Sequence, residues 1–106
     1  MTKQLTAEQL KADLDKNGSL LLLDVREPWE YQICHIDGSV NISMHQIPSS
    51  VEQLDPEKEI VVICHYGIRS LQVAKYLAER GFNKVTSLEG GVDAWATSID
   101  QTMPQY

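Results

Sequence analysis

The chain has 106 residues, 42% of them apolar, and this length and composition predict one compact domain, residues 1–106, that folds without disulfide staples. A formal net charge of −6 argues against a nucleic-acid surface and against binding to anionic membranes. No stretch approaches the roughly twenty apolar residues of a membrane span, and the N-terminus lacks the apolar segment of a secretory leader, so we expect a cytoplasmic protein.

The first half of the chain alternates between strand and helix patterns. Residues 4–5 are typical of a short edge strand, and Thr6 begins a capped helix that Asn17-Gly18 closes. The continuous apolar run of residues 20–25 then predicts a buried strand.

The next stretch has weaker patterns. Residues 26–31 predict one or two helical turns, followed by a turn region at 34–39 and a short strand at 40–42. Residues 45–54 keep a weak helical spacing, which Asp55-Pro56 ends.

The segment around Cys64 organises the rest of the chain. Residues 60–63 are four consecutive apolar residues, which is typical of a central parallel strand buried on both faces. After a short loop that contains Gly67, a helical spacing begins and continues to Gly81, which occupies the position of a C-terminal cap.

The last part of the chain predicts a strand at residues 82–88, a tight turn at 89–91 and a helix at 92–99, and the tail at 100–106 has no clear periodicity. Strands that alternate with helices at this spacing predict an α/β fold. We expect a mostly parallel central sheet of about five strands with helices on both faces.

Cys64 is the candidate nucleophile because of its place in this pattern. It follows a buried strand and faces the next helix, so unpaired N–H groups and the helix dipole favour its thiolate form. Gly67 permits a positive φ, which lets successive N–H groups converge on the sulfur, and Arg69 adds a nearby positive charge.

Taken together, the motifs resemble those of the single-domain rhodanese-like family over roughly positions 20 to 96, nearly the whole domain. The matching segments are Asp24-Val25-Arg26 with Glu30-Tyr31, His35-Ile36-x-Gly38 followed by Asn41-Ile42, Cys64-x-x-Gly67-x-Arg69-Ser70, Gly81-Phe82, and Leu88-x-Gly90-Gly91 with Trp95.

The resemblance implies a sulfurtransferase. In that family the cysteine at the Cys64 position takes a sulfane sulfur from a donor such as thiosulfate, becomes a persulfide and passes the sulfur to cyanide or a thiol. No cofactor or metal takes part in the family's chemistry. The implied partners are a small anionic sulfur donor and a cyanide or thiol acceptor, including a sulfur-relay protein, with no nucleic acid and no membrane.

The expected substrate-binding loop follows Cys64 and consists of His65, Tyr66, Gly67, Ile68, Arg69 and Ser70. Its first two side chains are candidates for substrate contact, whereas Ile68 is expected to serve packing. Ser70 is expected to cap the helix, and its N–H and hydroxyl are placed to contact the sulfur. A positive charge at a helix N-terminus opposes the dipole, so an anionic partner would explain Arg69.

Asp24 and Arg26 follow another strand, and we expect them to form an ion pair that supports the loop. Trp29 and Trp95 are expected to be core aromatics.

Cys34 stands where the family usually has glycine, and we expect a packed or surface thiol there rather than a second reactive one. The following His35 is expected to be structural. The two Cys-His pairs suggest a zinc site as a competing interpretation. Neighbouring residues of an extended segment point in different directions and no C-x2-C spacing exists, so we expect no metal site.

Two other functions remain as alternatives. Some cell-cycle phosphatases resemble this fold and use a Cys-x5-Arg loop, but here only four residues separate Cys64 from Arg69, which predicts a cradle too small for phosphate or arsenate. A non-catalytic interaction module of this fold often lacks the cysteine, which this chain retains together with Gly67 and Arg69.

Overall fold

A parallel five-stranded sheet forms the centre of the protein in a computed structural model that describes residues 2–16 and 18–106. The strands are β1 (Lys3–Leu5), β2 (Leu21–Asp24), β3 (Val40–Asn41), β4 (Ile60–Ile63) and β5 (Val85–Leu88). Their spatial order is β1-β5-β4-β2-β3, and each neighbouring pair is parallel. The predicted α/β architecture is confirmed, with the short first strand at an edge.

Helices connect the strands in the expected places. They are α1 (Ala7–Lys16), α2 (Pro28–Ile33), α3 (Ile47–Ser50), α4 (Ile68–Glu79) and α5 (Gly91–Ser98), and 3₁₀ turns at Met44–Gln46 and Val51–Gln53 flank α3. The expected contribution of Asn17 to the end of α1 lies outside the described residues. Within the described part of the chain, no helix is both long enough and apolar enough to cross a membrane.

Local sequence signals explain where two of these helices begin and end. At the start of α1, the Gln9 N–H donates to Thr6 Oγ1 (3.1 Å) and the Thr6 N–H donates back to Gln9 Oε1 (2.8 Å). At the end of α4, Gly81 has a φ of +95°, and the Phe82 N–H donates to the Leu77 carbonyl (3.1 Å). This is a Schellman-type end, as the position of Gly81 predicts.

The two faces of the sheet are both covered, because alternate residues of β4 belong to different apolar clusters. Ile60 and Val62 pack in one cluster with Leu77 of α4. Val61 and Ile63 pack in the other, with residues of α1 and α5. A strand buried on both faces therefore leads directly to Cys64, as the continuous apolar run predicts.

The carboxyl ends of the two central strands lie side by side. Asp24, the last residue of β2, pairs in register with Ile63, the last residue of β4, and the Val25 N–H donates to the Ile63 carbonyl (2.9 Å). The segments that begin at Val25 and Cys64 therefore leave the same edge of the sheet, where open α/β sheets place their ligand crevices.

The expectation that both tryptophans are core residues is half wrong. Trp95 on α5 is buried in the core, but Trp29 on α2 is 60% exposed. The inward-facing position of the short helix α2 belongs instead to Glu30, which is 4% exposed. The charge network described below explains why a carboxylate rather than an indole lies inside.

Candidate active site

The Cys64 sulfur lies against the first turn of α4. The Gly67 N–H donates to Cys64 Sγ (N···S 3.0 Å), and the Ser70 N–H donates to it as well (3.3 Å). The Ser70 hydroxyl oxygen lies 3.4 Å from the sulfur and 2.7 Å from the hydroxyl oxygen of Ser87 on β5. We call these two N–H groups and the Ser70 hydroxyl the sulfur cradle.

The sulfur takes the place of a capping side chain. Gly67 is the N-cap of α4 and has no side chain, so the N–H of Ser70 at the third helical position donates to Cys64 instead. The expectation that Ser70 caps α4 is wrong, because Gly67 is the N-cap and Ser70 lies inside the first turn. Its N–H and hydroxyl both approach the sulfur, as expected. The positive end of the helix dipole points toward the same atom.

Glycines let the loop fold tightly enough to form the cradle. Gly67 has the predicted positive φ, +102°. Gly91, with a φ of +59°, lies so close to the loop that a Cβ there would stand 2.3 Å from the Cys64 carbonyl oxygen and 2.4 Å from that of His65.

The start of α5 fixes the direction of the peptide units after Cys64. The Val92 N–H donates to the Cys64 carbonyl (2.9 Å), and the Asp93 N–H donates to the His65 carbonyl (3.1 Å). The carbonyl and N–H of a planar peptide unit point in opposite directions, so the N–H groups of His65 and Tyr66 are turned away from α5.

Arg69 finds its anionic partner within the chain. Its two Nη atoms donate to the two carboxylate oxygens of Glu30, at 2.8 and 2.9 Å. These hydrogen bonds outweigh the effect of burial and lower the pKa of Glu30 from 4.5 to about 2. The sequence left this partner open because the two residues lie far apart along the chain.

Asp24 and Arg26 form the expected ion pair, and both side chains are fully buried. Arg26 Nη2 lies 2.7 Å from Asp24 Oδ2 and donates at 2.7 Å to the Cys34 carbonyl. Burial acts to lower the pKa of Arg26, but hydrogen bonds to Asp24 and Tyr106 reverse that effect and raise it. The Asn41 amide also donates to the backbone carbonyls of Asp24 and Arg26. The pair therefore holds several backbone segments together.

Tyr106 joins the two ion pairs, and sequence analysis did not find it. Arg26 Nη1 donates to the Tyr106 hydroxyl (2.9 Å), which in turn donates to Glu30 Oε1 (2.9 Å). Burial raises the pKa of Tyr106 to about 12, so its hydroxyl keeps its proton at neutral pH. The tail that carries Tyr106 has no periodicity, and no sequence signal pointed to this contact.

The rest of the loop is more open to solvent. His65 is half-buried, and its ring stacks on the Tyr66 ring with a centroid distance of 3.9 Å. Tyr66 is 57% exposed and Ile68 is 71% exposed. The expectation that Ile68 serves packing is therefore wrong: the first residue of α4 faces away from the core.

Cys34 and His35 are placed as structural residues. Cys34 is a buried free thiol, and its sulfur lies 3.9 Å from Arg26 Nη1. Its φ of −164° is extended backbone that any residue adopts, so the replacement of the family's usual glycine causes no strain. The exposed His35 ring stacks on Tyr31 (3.9 Å), and its Nδ1 lies 2.8 Å from the Tyr31 carbonyl oxygen.

Among the described residues, no group of three or more His, Cys, Asp or Glu side chains is arranged to hold a metal ion. Within the described residues, the candidate site brings together the Cys64 thiol, the neutral groups of the sulfur cradle, the His65 ring and two ion pairs whose charges balance.

Comparison with known proteins gives consistent results. Residues 6–98 match the family described as "Rhodanese-like domain". The chain is 43% identical to YtwF of Bacillus subtilis over 93 residues, which cover 88% of this chain and 89% of that protein. It is 36% identical to the thiosulfate sulfurtransferase GlpE of Pseudomonas syringae over 103 residues, which cover 97% and 95% of the two chains. The crystal structure of a rhodanese-like domain protein from Staphylococcus aureus is similar with a TM-score of 0.85 and 27% identity, over 99% of each chain.

Proposed function

This chain belongs to the rhodanese-like domain family and is a sulfurtransferase, and we propose that Cys64 carries the transferred sulfur as a persulfide. The observation that carries this proposal is the pair of backbone N–H groups, from Gly67 and Ser70, that donate to the Cys64 sulfur at the N-terminus of α4. Such donors stabilise a negatively charged sulfur. The thiolate is the reactive form of the thiol, and a persulfide also bears a negative charge.

In the first half-reaction, the Cys64 thiolate attacks the outer sulfur of thiosulfate. A new S–S bond forms to Cys64 while the S–S bond of thiosulfate breaks, and sulfite leaves with the electron pair of that bond. The enzyme is left with one additional sulfur atom on Cys64, and the negative charge resides on the terminal sulfur. The N–H groups of the cradle donate to the Cys64 sulfur, to which the charged terminal sulfur is bonded.

In the second half-reaction, a nucleophilic acceptor attacks the terminal sulfur. With cyanide, a C–S bond forms, the S–S bond breaks, and thiocyanate leaves while the electron pair returns to the Cys64 sulfur. With a thiolate acceptor, an S–S bond forms between the acceptor and the terminal sulfur. The S–S bond to Cys64 breaks, its electron pair returns to the Cys64 sulfur, and the acceptor leaves as a persulfide. A small thiol and a cysteine of a sulfur-relay protein are equivalent in this step.

The loop residues have distinct roles in this proposal. The exposed side chains Tyr66 and Ile68, with the half-buried His65, contact the donor and the acceptor. Arg69 holds the loop through Glu30 and contributes only a balanced charge to donor binding. Asp24 and Arg26 support the same region from the adjacent strand. We place the reaction in the cytoplasm, because a reducing compartment preserves the free thiol from which the cycle begins.

Intact-mass measurement tests the proposal. After incubation with thiosulfate, the protein is expected to gain one sulfur atom, and cyanide is expected to remove it with formation of thiocyanate. The matched control is the second buried cysteine: Cys34→Ser should still gain the sulfur, whereas Cys64→Ser should not. An adduct that persists in Cys64→Ser, or a wild-type protein that gains no sulfur from any sulfane donor, overturns the proposal.

A further inference from the structure

The C-terminal tail returns to the candidate active site and ends in an aromatic stack. The Tyr106 ring lies parallel to the His65 ring, with a centroid distance of 3.7 Å and an angle of 12°. His65 stacks in the same way on Tyr66, at 3.9 Å. Trp29 makes an edge contact with the Tyr106 ring, with a centroid distance of 6.2 Å. Tyr106 therefore contacts His65, the residue that directly follows Cys64.

The hydroxyl of the same residue reaches the other end of the loop. It donates to Glu30, and Glu30 accepts two hydrogen bonds from Arg69, the residue before Ser70. One side chain thus restrains the loop at two points, with its ring at residue 65 and with its hydroxyl, through Glu30, at residue 69. The two cradle donors, Gly67 and Ser70, lie between these points and immediately after them.

The tail also makes contacts outside the loop. Gln105 donates to Asp93 and Thr97 of α5, both at 3.3 Å. The side chain of Met103 packs against the apolar cluster that includes Trp95. Because Gln105 and Met103 hold the segment that carries Tyr106, this side chain can restrain the loop rather than move with it.

We propose that Tyr106 is a positioning residue for sulfur transfer: its ring and hydroxyl hold the loop of residues 65–69 in the conformation in which Gly67 and Ser70 donate to the sulfur on Cys64. This inference rests on the proposed function of Cys64. The ring restrains the loop at His65, and the hydroxyl restrains it at Arg69 through Glu30. Substitutions that remove only the hydroxyl or the whole side chain therefore distinguish the two contributions.

Three variants test the inference. Tyr106→Ala removes both restraints, and kcat/KM for thiosulfate is expected to fall about tenfold, since misplaced reacting groups lower rates steeply. Tyr106→Phe keeps the ring stack and loses only the hydroxyl, so we expect a loss of about threefold to fivefold, in line with one hydrogen bond. The matched control is Tyr76→Ala. This second half-buried tyrosine packs against the apolar cluster on the other face of the sheet, which includes Cys64, and its loss is expected to lower stability but to leave kcat/KM of the folded protein unchanged.

Hydrogen exchange of individual amides gives a readout that does not depend on activity. In Tyr106→Ala, exchange at the Gly67 and Ser70 amides should accelerate about tenfold or more, while exchange at β4 amides such as Val62 stays unchanged. A role in overall stability alone would accelerate all of them together. In the same spectra, the His65 ring protons should shift in Tyr106→Ala and keep their positions in Tyr106→Phe.

The outcomes separate this inference from the proposed function. If the wild-type protein transfers sulfur and Tyr106→Ala does so equally well, Tyr106 is not a positioning residue and the proposed function stands. If the wild-type protein transfers no sulfur, the proposed function fails, and the inference about the loop is decided by exchange alone. Unchanged exchange at Gly67 and Ser70 in Tyr106→Ala overturns it in either case.

Discussion

The sulfur cradle and the neighbouring charge network lie at the same loop, but the first consists of neutral groups and the second of charged ones. The cradle contains only neutral groups: two backbone N–H groups that donate to the Cys64 sulfur and a hydroxyl whose oxygen accepts from it. The network contains two carboxylates and two guanidinium groups, from Asp24, Arg26, Glu30 and Arg69, joined by the Tyr106 hydroxyl. The first region holds the negative charge of the sulfur throughout the proposed reaction, whereas the positive charges of the second region are already paired with carboxylates.

The comparison shows that each arginine near this site is paired with a carboxylate of the chain, and we therefore propose that Arg26 and Arg69 hold the structure rather than the substrate. A buried guanidinium that is fully hydrogen-bonded to a carboxylate fixes geometry, and its charge is largely cancelled at a distance. Neutral donors at a helix N-terminus are then left to hold the anionic sulfur, and their dipoles need no counter-ion. The predictions that follow test this division of labour.

The largest effect is expected from breaking the buried ion pair. Asp24→Asn leaves Arg26 buried with an amide in place of its carboxylate, and removing one partner of a buried pair costs about 3–5 kcal/mol. The matched control is Asp15→Asn, which breaks the exposed Lys11–Asp15 pair on α1 and should cost less than about 1 kcal/mol. Urea denaturation of both variants measures the difference. Similar losses in the two variants would mean that the network is not the structural element we describe.

Substitution of Gly91 tests the tight packing of the loop that forms the sulfur cradle. In Gly91→Ala, the new Cβ would meet the Cys64 and His65 carbonyls and would require a left-handed conformation, so we expect a loss of about 3 kcal/mol or more. Sulfur uptake by the protein that remains folded should also fall, since the loop must move away from α5. Gly18→Ala is the control, because a Cβ there meets nothing within 4 Å. A Gly91→Ala protein with wild-type stability and sulfur uptake would contradict the tight packing of the loop.

Acid titration measures the Glu30–Arg69 pair. The pKa of Glu30 is lowered from 4.5 to about 2, so its stabilising contribution is fully present above pH 4.5 and is lost as the pH falls toward 2. The whole contribution is at most roughly 3 kcal/mol. The free energy of unfolding of the wild-type protein should therefore decrease more between pH 4.5 and 2 than that of Glu30→Gln. Parallel pH profiles for the two proteins would show that the ion pair contributes little.

Local patterns predict most of the fold and the centre of the site. The apolar run of β4, the positive φ of Gly67, and the caps at Thr6 and Gly81 each depend on a few adjacent residues, and the structure places all of them as expected. Such features follow from backbone sterics and burial, which a sequence window contains.

The missed features are contacts between distant positions. Glu30 meets Arg69 across 39 residues, and Tyr106 meets Arg26 across 80. No periodicity encodes such pairings, so local patterns assign the tail no role and Arg69 no partner. The exposed Trp29 follows from the same cause. Once Glu30 occupies the inward position of α2, the residue before it faces outward, and the distant partners Arg69 and Tyr106 explain why a carboxylate lies inside.

The smallest expected effect concerns the charge of the sulfur donor, and it decides between two roles for Arg69. If Arg69 binds anionic donors directly, Arg69→Ala should weaken thiosulfate turnover more than that of a neutral sulfane donor, and no second change should repair the loss. The structure predicts another result. In Arg69→Ala, the Glu30 carboxylate is left uncompensated, and its charge repels the anion.

The double variant Arg69→Ala/Glu30→Gln removes both charges and separates the two explanations. It should regain most of the selectivity for thiosulfate over the neutral donor, although the overall rate stays low because the loop has lost a restraint. The selectivity change in Arg69→Ala should be at most about fivefold, since a partly exposed charge interaction is worth up to about 1 kcal/mol. It should also diminish with added salt, because Arg69 is 33% exposed and ions reach this edge of the site. The measurement is the ratio of kcat/KM values for the two donors in all three proteins at low and high ionic strength. A ratio that stays depressed in the double variant would assign Arg69 to the donor itself, and the charge network would then take part in binding as well as in scaffolding.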